Sequence, residues 1–175
     1  MLGKLILCSA SRATESVDQL YLDKIGFPVR KGTLSRNPAA RSDYRWTVEI
    51  YCDESPQLDF RSWPDDRPEG PDDWLAGTEL LLAAQRLPLR VQSPDELIGR
   101  ADRFPPVQDN PAEWSDDLCW PYFFLYVWEG YPTEPLQVAF TGKRDWQYRV
   151  EVSGSYASGE RIYELRVKAW LDWQE

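Results

Sequence analysis

Between Tyr44 and Cys52 the chain reads YRWTVEIYC. Tyr44, Trp46, Val48, Ile50 and Cys52 fall on one side, and Arg45, Thr47, Glu49 and Tyr51 on the other. A period of two marks a half-buried strand. QLDFRSW (57–63) continues the alternation with Leu58 and Phe60 on the apolar side. The DESP turn between the two predicts an N-terminal hairpin.

The last third repeats the pattern. PLQVAFTG alternates at Leu136, Val138 and Phe140. DWQYRVEV places Trp146, Tyr148, Val150 and Val152 on one face, and IYELRVKAWLDW places Tyr163, Leu165, Val167, Ala169 and Leu171 on one face. The short polar connections predict an antiparallel meander, with SGSYASGE (153–160) as a loop. One segment breaks the rule. WPYFFLYVWEGY, Trp120 to Tyr131, is apolar or aromatic on both faces until Glu129. Such a strand belongs at the centre of a sheet with its second face covered. The open point is its far end, where Tyr126, Trp128 and Tyr131 sit beside Glu129.

Helical signals are sparser. TESVDQLYLDKIG offers Thr14 as a cap, near-helical spacing at Val17, Leu20, Tyr21 and Ile25, and a stop at Gly26. A basic loop, 29–43, is expected after it. Residues 74–86 read as a helix or, through GTELLLAA, as a buried strand. LPLRVQ is a short strand candidate. SPDELIG carries a capping box from Ser93 to Glu96 with Pro94 at the first helical position and Gly99 as the stop, and NPAEWSDDL repeats that logic. The fold class expected is α+β in a single domain, residues 1–175. It is mainly antiparallel sheet, a C-terminal meander plus the N-terminal hairpin, with one to three short helices packed on it.

Composition adds constraints. A chain of 175 residues that is 42% hydrophobic has enough apolar surface for a sizeable core. No stretch approaches the roughly 18 apolar residues of a membrane helix, and the apolar run at Leu5–Cys8 is too short for an export signal. A cytoplasmic protein is the expectation. Cys8, Cys52 and Cys119 are odd in number and widely spaced, which fits reduced, buried thiols.

Charge is uneven. Residues 1–45 carry eight Lys+Arg against four Asp+Glu, whereas residues 46–117 carry six against seventeen. The total is −9. Such a field repels nucleic acid and membrane phosphates and favours basic partners.

The chain has no histidine. That removes Ser-His-Asp and Cys-His catalysis and His-ligated metals. Neither GxxxxGK[ST] nor GxGxxG is present, so no phosphate-binding loop is written in the sequence. The remaining catalytic chemistry is a carboxylate pair of the glycosidase kind, Glu129 with Glu151 or Glu164. An enzyme is not the reading these residues favour, and no cofactor or metal is expected.

WPDDRPEGPDDW, Trp63 to Trp74, is rigid, acidic and bracketed by tryptophans. A calcium loop would place its oxygens more closely and without interruption, and Arg67 and the prolines break this run. Aromatic anchors flanked by acidic groups suit a protein interface, so Trp63, Asp65, Asp66, Glu69, Asp72, Asp73 and Trp74 are the candidate contact residues. In composition and organisation the whole chain is similar to bacterial immunity proteins and antitoxin-like inhibitors. The resemblance implies an acidic inhibitor that neutralises a cognate, basic toxin domain by direct binding, with no nucleic acid or membrane as partner. The alternatives are a carbohydrate-binding or carboxylate-based glycan-active protein, and a structural component of a phage or secretion machine.

Overall fold

The computed structural model describes residues 18–36, 46–59, 61, 70–87, 89–105, 123–127 and 130–175. They form one ten-stranded sheet, mostly antiparallel. Its strands are β1 (Gln19–Leu22), β2 (Ile25–Arg36), β3 (Trp46–Cys52), β4 (Leu80–Leu87), β5 (Ala101–Phe104), β6 (Phe123–Tyr126), β7 (Gly130–Pro132), β8 (Leu136–Arg144), β9 (Gln147–Ser158) and β10 (Arg161–Gln174). The order across the sheet is β5-β8-β9-β10-β1-β2-β3-β4-β6-β7.

The sheet rolls upon itself. Phe104 of β5, at one end of the order, packs on Phe123 of β6, near the other, with ring centroids 5.8 Å apart. The Glu134 N–H, just past β7, donates to the Ser155 carbonyl of β9 at 3.1 Å. Alternate residues of the strands therefore converge on one interior. A single buried cluster runs from Leu20 and Leu22 through Val48, Ile50 and Leu82 to Val150, Val167 and Leu171. Leu58, Leu75 and Leu97, from short turns, close it.

The meander is present as β8, β9 and β10, and β3 occupies the alternating stretch read from Trp46 onward. Several other expectations are corrected. No α-helix occurs among the described residues; the helical elements there are short 3₁₀ turns, including Pro56–Leu58, Asp73–Leu75 and Pro94–Leu97. The helix expected from Thr14 is instead the hairpin β1–β2, turned at Asp23 with φ 54°. A strand of four residues is too short to show its period, so Leu20, Tyr21 and Ile25 imitated helical spacing. Thr14 and Val17 lie outside the described residues.

The basic stretch expected to be a loop is strand as far as Arg36, with a bulge between Val29 and Lys31. Residues 57–59 do not pair with β3. Its partners there are β2 and β4, and Pro56–Leu58 is a 3₁₀ turn capped by the Ser55 side chain. Residues 80–87 are strand, not helix. Of LPLRVQ, residues 89–92 are irregular, and SGSYAS belongs to β9, so the turn into β10 is only Gly159–Glu160. Trp146, expected on the apolar face, is 70% exposed at the β8–β9 turn, where Asp145 has φ 48°. The capping box of Ser93 and Glu96 forms as expected. NPAEWSDDL lies outside the described residues.

The aromatic segment is not central. Its described strand, β6, is next to last in the sheet, between β4 and β7. Phe123 and Leu125 enter the interior, while Phe124 and Tyr126 are half-buried on the other face with centroids 5.7 Å apart. Trp120, Trp128 and Glu129 lie outside the described residues.

One junction organises the sheet. β1 is short, so β10 runs past it and pairs directly with β2, in parallel, at Asp172–Gln174. Asp18 sits where β1 begins. Its carboxylate accepts from Arg149 and, at 2.8 Å, from the Trp170 backbone N–H, and its carbonyl accepts from Val29 N–H. Gly32 faces the same junction: a Cβ there would stand 2.6 Å from the Trp170 carbonyl oxygen. Only glycine permits that approach without displacement.

Candidate protein-binding site

Strand direction places the loops. Leu22 pairs with both Leu165 and Ile25, Val29 with Cys52, and Cys52 with Leu80. The β1–β2 turn, the start of β10 and the described parts of the β3–β4 connection therefore share one end of the roll. That connection, residues 53–79, carries nine Asp+Glu against two Lys+Arg. Six of those Asp+Glu and one of the Arg are among the described residues, whereas the described connections at the other end, 89–100 and 145–146, carry three Asp+Glu and two Arg. Among the described residues, acidic charge thus gathers at one end.

The described part of the Trp63–Trp74 run meets the sheet there. Asp73 opens the 3₁₀ turn, and Leu75, fully buried, anchors it to the core. Trp74 Nε1 donates to the Tyr163 hydroxyl at 3.0 Å, and the two rings meet edge-on at 5.9 Å. Tyr163 in turn lies 6.3 Å from Tyr156 inside the roll. Burial pushes the Tyr163 phenol up, against the opposing pull of Trp74 and Arg161. It is a neutral hydroxyl that accepts from Trp74 at neutral pH.

Arg161 caps this aromatic column. Its guanidinium lies 4.4 Å over the Tyr163 ring, 2.7 Å from Asp72 Oδ1 and 3.3 Å from Asp23 Oδ2. The Asp72 contact is an ion pair rather than an aligned hydrogen bond. Asp23 Oδ1 accepts from the Glu164 N–H at 2.7 Å, which ties the β1–β2 turn to β10. Beside this cluster is a cleft of about 530 Å³ bordered by Asp23, Lys24, Asp72, Arg161, Glu164 and Arg166. Its carboxylates and cations are equal in number, so the cleft itself carries no net charge.

This changes the status of the candidate residues. Asp72 is matched by Arg161, Asp73 accepts from the Gly70 N–H, and Trp74 is half-buried on Tyr163. These residues hold the connection to the sheet. Trp63, Asp65, Asp66 and Glu69 lie outside the described residues. Arg161, Asp23 and Tyr163 were missed from sequence. Arg161 stands 89 positions beyond Asp72 and 138 beyond Asp23, and no local pattern reports such pairing.

Glu129, the first member of the candidate carboxylate pair, lies outside the described residues. Among the described residues no three Cys, Asp or Glu side chains gather to hold a metal ion. Glu151 is paired with Lys168 at 3.3 Å and Glu164 with Arg166 at 3.4 Å, both near the outer surface of the sheet. Cys52 is fully buried, and burial pushes its thiol up to about 12. No helix among the described residues is long and apolar enough to cross a membrane. The chain matches no family model, no curated protein and no solved structure.

Proposed function

We propose that the protein is an inhibitor that binds a basic partner protein through the acidic end of the rolled sheet, in the manner of a bacterial immunity protein acting on a toxin domain. The observation that carries this reading is the polarity of the loops. The described parts of the β3–β4 connection bring six acidic residues and one Arg to one end, against three acidic residues and two Arg in the described connections at the other end. A field of one sign at one pole steers an oppositely charged partner and orients it before contact.

The contact residues are Asp65, Asp66 and Glu69 together with Trp63. Asp72, Asp73 and Trp74 serve to anchor the connection to the sheet. A large tryptophan beside charges is the usual composition of an interface anchor.

The test is co-expression with a toxin encoded by the adjacent gene. The protein is expected to restore growth and to co-purify with the toxin domain in a complex that weakens as salt rises. Asp65→Lys, Asp66→Lys and Glu69→Lys together should abolish both effects. Retention of the complex at unchanged affinity in that triple variant would overturn the assignment. Asp73→Lys is unsuitable as a charge reversal, because Asp73 also supports the Gly70 turn.

A further inference from the structure

Arg161 touches three separate segments. It pairs with Asp72 of the β3–β4 connection and Asp23 of the β1–β2 turn, and it covers the face of Tyr163 on its own strand. Tyr163 in turn accepts from Trp74, two residues beyond Asp72. The end of the acidic connection is thus held to the sheet twice, once by charge and once by an aromatic contact. Both holds pass through the first three residues of β10.

We infer that Arg161 is the positioning residue of the acidic end. It contacts no partner; it fixes residues 70–79 against β10, so that this part of the connection meets a partner already ordered. This rests on the proposed function for the partner, but not for the clamp. Three observations support the role. The guanidinium is planar, so it can stack on Tyr163 while two of its nitrogens reach two carboxylates, which an ammonium cannot do. Its side chain is 37% exposed and Asp72 is 25% exposed, so water competes only partly for the pair. Lastly, 3₁₀ turn Asp73–Leu75 is one short turn with no ladder of its own, so its order comes from these tertiary contacts. Fixing a loop beforehand removes an ordering cost from association.

The experiment is hydrogen exchange of the full chain, comparing wild type with Arg161→Gln and Arg161→Lys, read alongside thermal melts. In Arg161→Gln the amides of Leu75, Ala76 and Thr78, which donate within this turn, are expected to exchange about tenfold faster. Amides of the β3–β4 ladder should not change, and the melt should hold. Arg161→Lys should recover only part of the protection, since it keeps charge but not the two-point fork. Unchanged exchange at residues 75–78 in Arg161→Gln would overturn the inference. So would acceleration spread evenly over all strands with a lowered melt, which marks a general stabiliser. With a toxin domain in hand, Arg161→Gln should weaken binding about tenfold, by loss of preorganisation alone. If no toxin is neutralised but local exchange rises as stated, the inhibitor reading fails and the clamp stands. If the toxin is bound equally well by Arg161→Gln, the positioning role fails and the inhibitor reading stands.

Discussion

Asp18→Ala is the sharpest test of how the sheet is joined. The carboxylate fills the gap where β1 begins and β10 meets β2. It accepts from the Arg149 guanidinium with one oxygen and from the Trp170 N–H, at 2.8 Å, with the other. Trp170 N–H faces a junction rather than water, and an orphaned donor of this kind costs about 1–3 kcal/mol. Arg149 has only 13% of its side chain exposed, and Asp18 24%. Breaking a fully buried ion pair costs about 3–5 kcal/mol. Here the residual exposure and the stacking of Arg149 on Trp170, 5.5 Å away, reduce that figure. Together the loss should be about 3 kcal/mol. For a chain of this size, that lowers the melting temperature by roughly 6–12 °C. Asp18→Asn keeps one acceptor oxygen and should lose about half as much. Urea unfolding with an unchanged slope, supported by calorimetry, measures both. A loss below about 0.5 kcal/mol for Asp18→Ala would refute the argument, because that is the range of an ordinary surface substitution.

Further outcomes are expected elsewhere in the fold. Gly32→Ala should cost about 1–3 kcal/mol in urea unfolding, since its new methyl group meets the Trp170 carbonyl at 2.6 Å. In a Cys8→Ser, Cys119→Ser background the remaining thiol, Cys52, should resist alkylation at pH 8 in the native state and react on unfolding, because burial holds it up at about 12. Asp95 has its carboxyl held below the ordinary range by hydrogen bonds from Lys143 and Tyr148. A depressed carboxylate contributes stability above its unfolded pKa, and that contribution is lost as pH falls through the folded value. Stability should therefore fall more steeply below about pH 4 in the wild type than in Asp95→Asn, read by chemical unfolding at several pH values.

The parts of the fold legible in the sequence are those where the period of two runs long enough to be counted. Seven residues of β3 and fourteen of β10 show it, and both were read. Four residues of β1 do not, and Leu20 and Tyr21 passed as one face of a helix. β2 was hidden for another reason. Gly26, Pro28 and Gly32 are loop-forming residues, but each answers a demand of the sheet. Gly32 makes room for β10, and Pro28 pairs with Gln19. Trp146 failed in the opposite sense. Its place in the alternation pointed inward, but the turn at Asp145 comes directly before it and breaks the phase. The acidic run was visible as composition. Its division into an anchored base at Asp72–Trp74 and the remainder was not, because Arg161 and Tyr163 define that base from the far end of the chain.

Placement also bears on which aromatic feature serves binding. The aromatic segment around Phe123–Tyr126 attracts attention in the sequence, yet its described strand sits beside the seam of the roll, with Phe123 against Phe104. Its inward residues are spent on closing the sheet. The Trp74–Tyr163–Tyr156 column is likewise internal, but its outer end is capped by a cation rather than by apolar packing. A cap of that kind satisfies Asp23 and Asp72 while leaving their surroundings hydrated, with Asp23 and Arg161 still more than a third exposed. The arrangement costs the molecule two of its acidic charges at the pole where charge is concentrated. On the proposed function, what it returns is a fixed position for residues 70–79, which recognition of charge by position would require more than two further carboxylates.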